Sequence, residues 1–310
     1  MLEAVEMREV TSGLRFPEGP IAMKDGSVVA VEIQSGTLAR VAPDGTITEA
    51  AKTGGGPNGA AIGPDGKVYV CNNGGFEWAE FDGMAVPGAE PANYIGGRIQ
   101  RVDLDTGVVE DVYTECDGFP LRGPNDIVFD TEGGFYFTDL GKSRPRDVDK
   151  GGMYYAKPDG SMIKTVVYPL DHPNGIGLSP DGSRVYVAET MTGRVWAWDI
   201  AEPGVVKPGT TPFAIGTLLY SFEGYQLLDS LAVDGEGNVC VATLVTGAIS
   251  VITPEGKLKA QYPVPVHDVF VTNICFGGDD LRTAFITSSG RGKLYSMTWP
   301  CPGLRLNYEA

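Results

Sequence analysis

Six side chains of one chemical kind recur at a fixed distance from a turn. Counting back eight residues from the turn glycines Gly26, Gly66, Gly133, Gly182 and Gly237, and from Leu281 where a sixth glycine would stand, gives Glu18, Asn58, Asn125, Asn174, Asp229 and Asn273. Each bears a side-chain oxygen. Glu18 and Asp229 are carboxylates, and no Lys or Arg occupies any of the six positions. Two like charges in a partly dry site either take up protons or recruit a cation. Carboxamide oxygens around them make a hard donor set, suited to Ca²⁺, Mg²⁺ or Mn²⁺ more than to soft metals. Taken singly, an Asn or Asp opening a strand is also a good turn former. Six in register point to a shared site.

The elements that would gather them are written in the turns. One pattern, a strand, a DG-type turn and a second strand, appears as AMKDGSVVAVE (22–32), AIGPDGKVYVCN (61–72), VFDTEGGFYFTD (128–139), LSPDGSRVYVAET (178–190), VDGEGNVCVAT (233–243) and FGGDDLRTAFITS (276–288). Asp-Gly between alternating apolar runs is a strong hairpin signal. A Gly-led strand follows each copy, and the first five continue into a fourth strand. The sixth lacks one, which the N-terminal segment Glu6–Thr11 would supply. Six four-stranded units closed by a chain end predict an all-β fold, a six-bladed β-propeller spanning residues 1–310 as one domain. In that fold the first strand of each blade lines the central channel, so the six oxygen-bearing side chains meet at one mouth. Composition agrees, since 43 Gly and 22 Pro leave no room for long helices while 42% hydrophobic content excludes disorder.

Connections from second to third strand emerge on the same face. Two are long, 73–96 and 140–151. The first carries Phe76, Trp78, Phe81 and Tyr94, either a substrate wall or packing over a neighbouring blade. The second carries Lys142, Arg144, Arg146 and Lys150, either contacts for an anionic group or a solvated charged loop. There are two histidines. His172, two residues before Asn174, would reach the channel mouth; His267 falls in a connection. No G-x-S-x-G, GxGxxG or Walker pattern appears. A net charge of −16 repels nucleic acid, and no apolar run is long enough to span a membrane. The acidic N-terminus has no apolar core of a signal peptide. Five scattered cysteines without a CxxC pair read as reduced, mostly buried thiols of a cytoplasmic protein, a monomer or small homo-oligomer.

The motifs FPEGP (16–20), RGPND (122–126), HPNGIGLSPDG (172–182), LLDSLAVDGEGNVCVAT (227–243) and TNICFGGDDLRTAFIT (272–287), in this order and spacing, resemble the SMP-30/gluconolactonase/luciferin-regenerating-enzyme family. The resemblance runs from about Leu14 to Met297. It implies one divalent ion, calcium first with magnesium, manganese, zinc and iron(II) open, held by Glu18, Asn174 and Asp229. Asn125 would be a fourth ligand or a substrate contact. It implies hydrolysis of lactones, commonly sugar lactones, at the ion. Two departures stand out. Leu228-Asp229-Ser230 replaces a frequent PDG, and Arg122 lies three residues before Asn125 rather than the two seen in animal members.

These readings converge on a metal-dependent lactone hydrolase acting on a small-molecule lactone. Asp229 is the preferred base for the attacking water and Glu18 the alternative. Asn125, Arg122, Asn58, Asn273, His172 and Trp78 would contact substrate. Two rival readings are a phosphotriester or phosphofluoridate hydrolase like diisopropyl fluorophosphatase, and a non-catalytic binding propeller whose metal is only structural.

Overall fold

Antiparallel pairing turns the alternating apolar runs into sheets. The computed structural model describes residues 6–209 and 214–309, and its strands group into six sheets of four or five plus two small hairpins. Blade one comprises Pro17–Ala22, Val28–Glu32, Thr37–Val41 and Ile47–Lys52. The innermost strands of blades two to six are Pro57–Ile62, Pro124–Phe129, Pro173–Leu178, Leu228–Val233 and Val271–Gly277. Each innermost strand touches the next, and the sixth touches the first, so the sheets form the ring of a six-bladed β-propeller. No helix occurs among the described residues.

The sixth blade borrows its outer strand. Arg8–Ser12 pairs antiparallel with Lys293–Thr298, Arg8 opposite Ser296 and Ser12 opposite Lys293. The closing strand therefore lies slightly later than Glu6–Thr11, but it comes from the predicted chain end. All five turn glycines have positive φ, from 67° at Gly182 to 83° at Gly26, which a tight hairpin turn requires. Leu281 takes the same conformation at 55°.

Apolar burial lies between neighbouring blades. Cys240, Ile249, Tyr262, Ile274, Ile286 and Trp299 pack blade five on blade six, while Tyr69, Phe129 and Phe135 join blades two and three. The axis stays open as a cavity of about 790 Å³ running beneath the ring residues. Residues 304–309 cross its far end. Leu304 N donates to Val233 O (3.2 Å), Asn307 Nδ2 to Phe129 O (2.9 Å), and Tyr308 packs edge-on against Phe129. All five cysteines are free thiols, four of them buried.

Candidate functional site

The six oxygen-bearing residues stand at the start of the six innermost strands, all at one mouth of the channel. At this point every innermost strand slips register against its neighbour, for instance between Glu18 and Ile21, Pro57 and Ala60, and Pro124 and Ile127. Such a bulge bends the strand and re-aims side chains. It also presses the following residue against the adjacent blade. A Cβ at Gly19 would sit 2.6 Å from Asn58 O, at Gly59 2.5 Å from Asn125 O, and at Gly175 2.4 Å from Leu231 N. In these three blades glycine is what allows the approach to be this close.

Blade three has Asp126 at the following position and blade five has Ser230. Asp126 Oδ1 accepts from Ile127 N (2.9 Å) and Oδ2 from Ile176 N (3.3 Å), while Ser230 Oγ lies 3.4 Å from Asn174 Oδ1. Asp126 is thus a third axial carboxylate, one that counting to the turn missed. Its signal was present in the sequence: an acid stands where the FPEGP and PNG motifs have glycine.

A second shared device fixes the entry to each strand. In four blades the last residue of the second strand accepts hydrogen bonds from amides two or three residues before the ring residue. Glu32 Oε1 takes Arg15 N (2.7 Å), and Asn72 Oδ1 takes Gly56 N (3.0 Å). Asp139 takes both Arg122 N and Gly123 N (2.7 Å each), and Glu189 Oε1 takes Asp171 N (2.8 Å). These latches hold Glu18, Asn58, Asn125 and Asn174 on rigid elements.

The ring is buried and acidic. Glu18 Oε2 accepts from Asn273 Nδ2 (2.7 Å) and Gly19 N (2.7 Å). Asn174 Nδ2 donates to Thr190 Oγ1 (3.1 Å). Burial raises the Glu18 carboxyl to about 7, against the pull of those donors. Burial first, and then the Glu18 charge, lift Asp229 well above the usual carboxylate range and Asp126 to about 8. Glu18 Oε1, Asn58 Oδ1 and Asn125 Oδ1 are buried with no hydrogen-bond partner among the described residues. Sealed acceptors without donors are rare in native proteins. Among the described residues no three His, Cys, Asp or Glu side chains form a metal-binding cluster. The ring instead combines carboxylates with carboxamides. Unpartnered oxygens beside uncompensated acids fit a hard divalent cation.

Around this mouth the other candidate residues divide. Trp78 packs at 5.0 Å from Phe16, which meets Phe270 at 5.6 Å, giving an aromatic wall on the blade-one side. His172 is buried next to Asn174. Arg122 has an exposed side chain; its amide serves the Asp139 latch and its carbonyl accepts from Tyr94 Oη (2.5 Å). His267 is exposed. The segment 73–96 contains a hairpin, Trp78–Phe81 with Met84–Pro87, whose Phe81 projects into solvent at 72% exposure.

The charged segment 140–151 is largely exposed, Arg146 and Lys150 included, but Lys142 departs from a solvated loop. Lys142 is buried, its ammonium 2.5 Å from Gly75 O, 4.2 Å from the centre of the Phe76 ring and 5.4 Å from that of Tyr94. Burial pushes its pKa down to about 7. Arg144 is bound to Glu90, Asp147 and Asp149, and Lys150 to Asp171. Three of the four cations are engaged within the protein, and two of them, Lys142 and Arg144, tie the two long connections together.

Comparison with known proteins agrees with this architecture. Residues 16–290 match the family model described as the SMP-30/Gluconolactonase/LRE-like region. Lactonase drp35 of Staphylococcus saprophyticus is 32% identical over 253 residues, 81% of this chain and 70% of that protein. A gluconolactonase from Xanthomonas campestris superposes with a TM-score of 0.74 at 22% identity, covering 96% of this chain and 90% of that one. The calcium-binding protein regucalcin from Agrobacterium tumefaciens gives 0.73 at 18%, covering 97% and 98%. The chain belongs to the SMP-30/gluconolactonase/LRE-like family.

Proposed function

We propose that this member of the SMP-30/gluconolactonase/LRE-like family is a lactone hydrolase whose ring binds one divalent cation through Glu18, Asn125, Asn174 and Asp229. The observation that carries the reading is the set of buried oxygens at Glu18, Asn58 and Asn125, unpartnered among the described residues, beside acids against which no described Lys or Arg side chain stands. The lactonase and gluconolactonase relatives support the reaction class, and the calcium-binding neighbour supports the ion. When bound, a divalent cation supplies positive charge that polarises an ester carbonyl and steadies the oxyanion formed from it.

The chain's own residues do the rest. Asn174 is held by Thr190, and Glu18 by Gly19 and Asn273, so their donor atoms are preorganised. Asp229 accepts a proton as water adds to the lactone carbonyl carbon. The bond from that carbon to the ring oxygen then breaks. The proton passes to the departing alkoxide, leaving the open hydroxy acid. Phe16, Trp78 and Phe270 keep bulk water from one side of the entrance. Asn58, whose Oδ1 is unpartnered among the described residues, and Asn273, which holds Glu18, stand in the same ring and offer further polar groups to the substrate.

The test is turnover of a lactone panel and a phosphotriester panel by chelated protein, with Ca²⁺, Mg²⁺, Mn²⁺, Zn²⁺ and Fe²⁺ restored singly. Lactone hydrolysis should vanish on chelation and return with an ion, and Asp229→Asn, which keeps an oxygen for the ion but cannot take up the proton, should lose it while calorimetry still detects ion binding. Hydrolysis of phosphotriesters with the larger kcat/KM, or unimpaired lactone turnover after complete chelation, would overturn the reading.

A further inference from the structure

The entrance to the ring has two unlike sides. Phe16 and His172 hold equivalent places, two residues before Glu18 and Asn174, and both adopt left-handed backbone, with φ of 57° and 52°. Their blades, one and four, lie opposite each other in the six-membered ring. On the first side Phe16 builds the aromatic wall with Trp78 and Phe270. On the other side the equivalent place holds the buried imidazole of His172. Non-glycine residues rarely hold this backbone, and when they do the strain often serves a site.

His172 Nδ1 lies 3.0 Å from Asp171 Oδ1, and the Lys150 ammonium, 2.8 Å from Oδ2, keeps that carboxyl ionised. A carboxylate only accepts, so in the neutral ring Nδ1 carries the hydrogen and Nε2 is a bare acceptor. Nε2 is buried without a partner among the described residues. Gln226, three residues before Asp229 in the next blade, repeats the arrangement. Its Nε2 donates to Thr246 Oγ1 (2.8 Å), and its Oε1 is buried without a partner among the described residues. The frame is rigid. The His172 carbonyl accepts from Thr190 N (3.0 Å), and Thr190 Oγ1 in turn accepts from Asn174 of the ring.

Two sealed acceptors on adjacent strand entries call for a ligand that brings donors. We propose that His172 Nε2 and Gln226 Oε1 accept hydrogen bonds from hydroxyl groups of the lactone, making the blade-four and blade-five side of the entrance a reader of substrate hydroxylation. The proposal rests on the lactone reading above. The aromatic side takes the less polar face of the same ring, and an unsubstituted lactone leaves both acceptors unsatisfied. A site built to pair with a hydroxyl rejects the analogue that lacks it.

The test compares D-glucono-δ-lactone with δ-valerolactone for wild type, His172→Phe and Gln226→Met. Phe16 shows that an aromatic side chain is accommodated on this backbone at the equivalent place. Each variant should raise KM for the hydroxylated lactone about tenfold and leave δ-valerolactone within about twofold. Equal effects on the two substrates, or none, would overturn the proposal and leave the lactonase reading intact. If no lactone is turned over at all, that reading fails instead. Calorimetric binding of D-gluconate against 5-hydroxyvalerate then decides the proposal, with preference for gluconate in wild type and its loss in the variants expected. Should a variant fail to fold, absence of any gluconate preference in wild type overturns it.

Discussion

Glu18→Gln should make the protein more stable without a cation and less stable with one. Glu18 is fully buried, and burial raises its carboxyl from 4.5 to about 7. At about 1.4 kcal/mol per pH unit, ionising it inside the fold costs about 3 kcal/mol relative to the unfolded chain. The sign follows from the direction. A folded value above the unfolded one stabilises fully below about pH 4.5, and that contribution is lost as pH rises through about 7. Asp126 and Asp229 are raised in the same direction and add to the loss. Glutamine keeps an oxygen to accept from Asn273 and Gly19 but has no charge to desolvate. Urea unfolding in chelator, followed from about pH 5 to about pH 8.5, should show wild type losing stability that the variant retains, by up to about 3 kcal/mol at the alkaline end. Excess Ca²⁺ should reverse the order, because binding to the folded state stabilises only the chain that can bind. Matching pH profiles for the two chelated proteins, or a variant less stable than wild type at alkaline pH without cation, would refute the account of the ring.

Two further outcomes follow from packing. Gly175→Ala places a Cβ 2.4 Å from Leu231 N at a residue without positive φ, so crowding alone acts. It should cost about 1–3 kcal/mol and weaken cation binding, read by urea midpoint and calcium calorimetry; an unchanged midpoint would contradict the narrow ring. Lys142→Met removes the ammonium that joins Gly75, Phe76 and Tyr94. Cleavage within 73–96 by limited proteolysis should accelerate several-fold while the propeller stays folded, and equal cleavage rates would show that the lysine does not hold the segment.

How far the sequence could be read depended on how local each feature is. The ring residues were legible because a DG-type turn fixes the length of the strand before it, and symmetry then carries Glu18, Asn58, Asn125, Asn174, Asp229 and Asn273 to one mouth. Closure by the N-terminal strand was legible from a missing partner. Asp126 was not, because a bulge overturns the simple alternation of inward and outward side chains. Lys142 was misread as surface because nothing near it in sequence announces that Phe76, Gly75 and Tyr94 enclose it. Arg122 lies beside the site in sequence, and what the sequence did not announce is that its amide and carbonyl are engaged by Asp139 and Tyr94 while its side chain stays exposed.

The pairing of Arg8–Ser12 with Lys293–Thr298 has a consequence for biosynthesis. The first of these segments emerges from the ribosome long before its partner exists. Until then a nascent circle of five complete blades carries two raw margins, the condition under which sheets recruit foreign strands. Joining such distant segments is the slowest kind of contact to find by diffusion. The backbone hydrogen bonds of this seam, together with the packing of blade six on its neighbours, are what keep the circle shut.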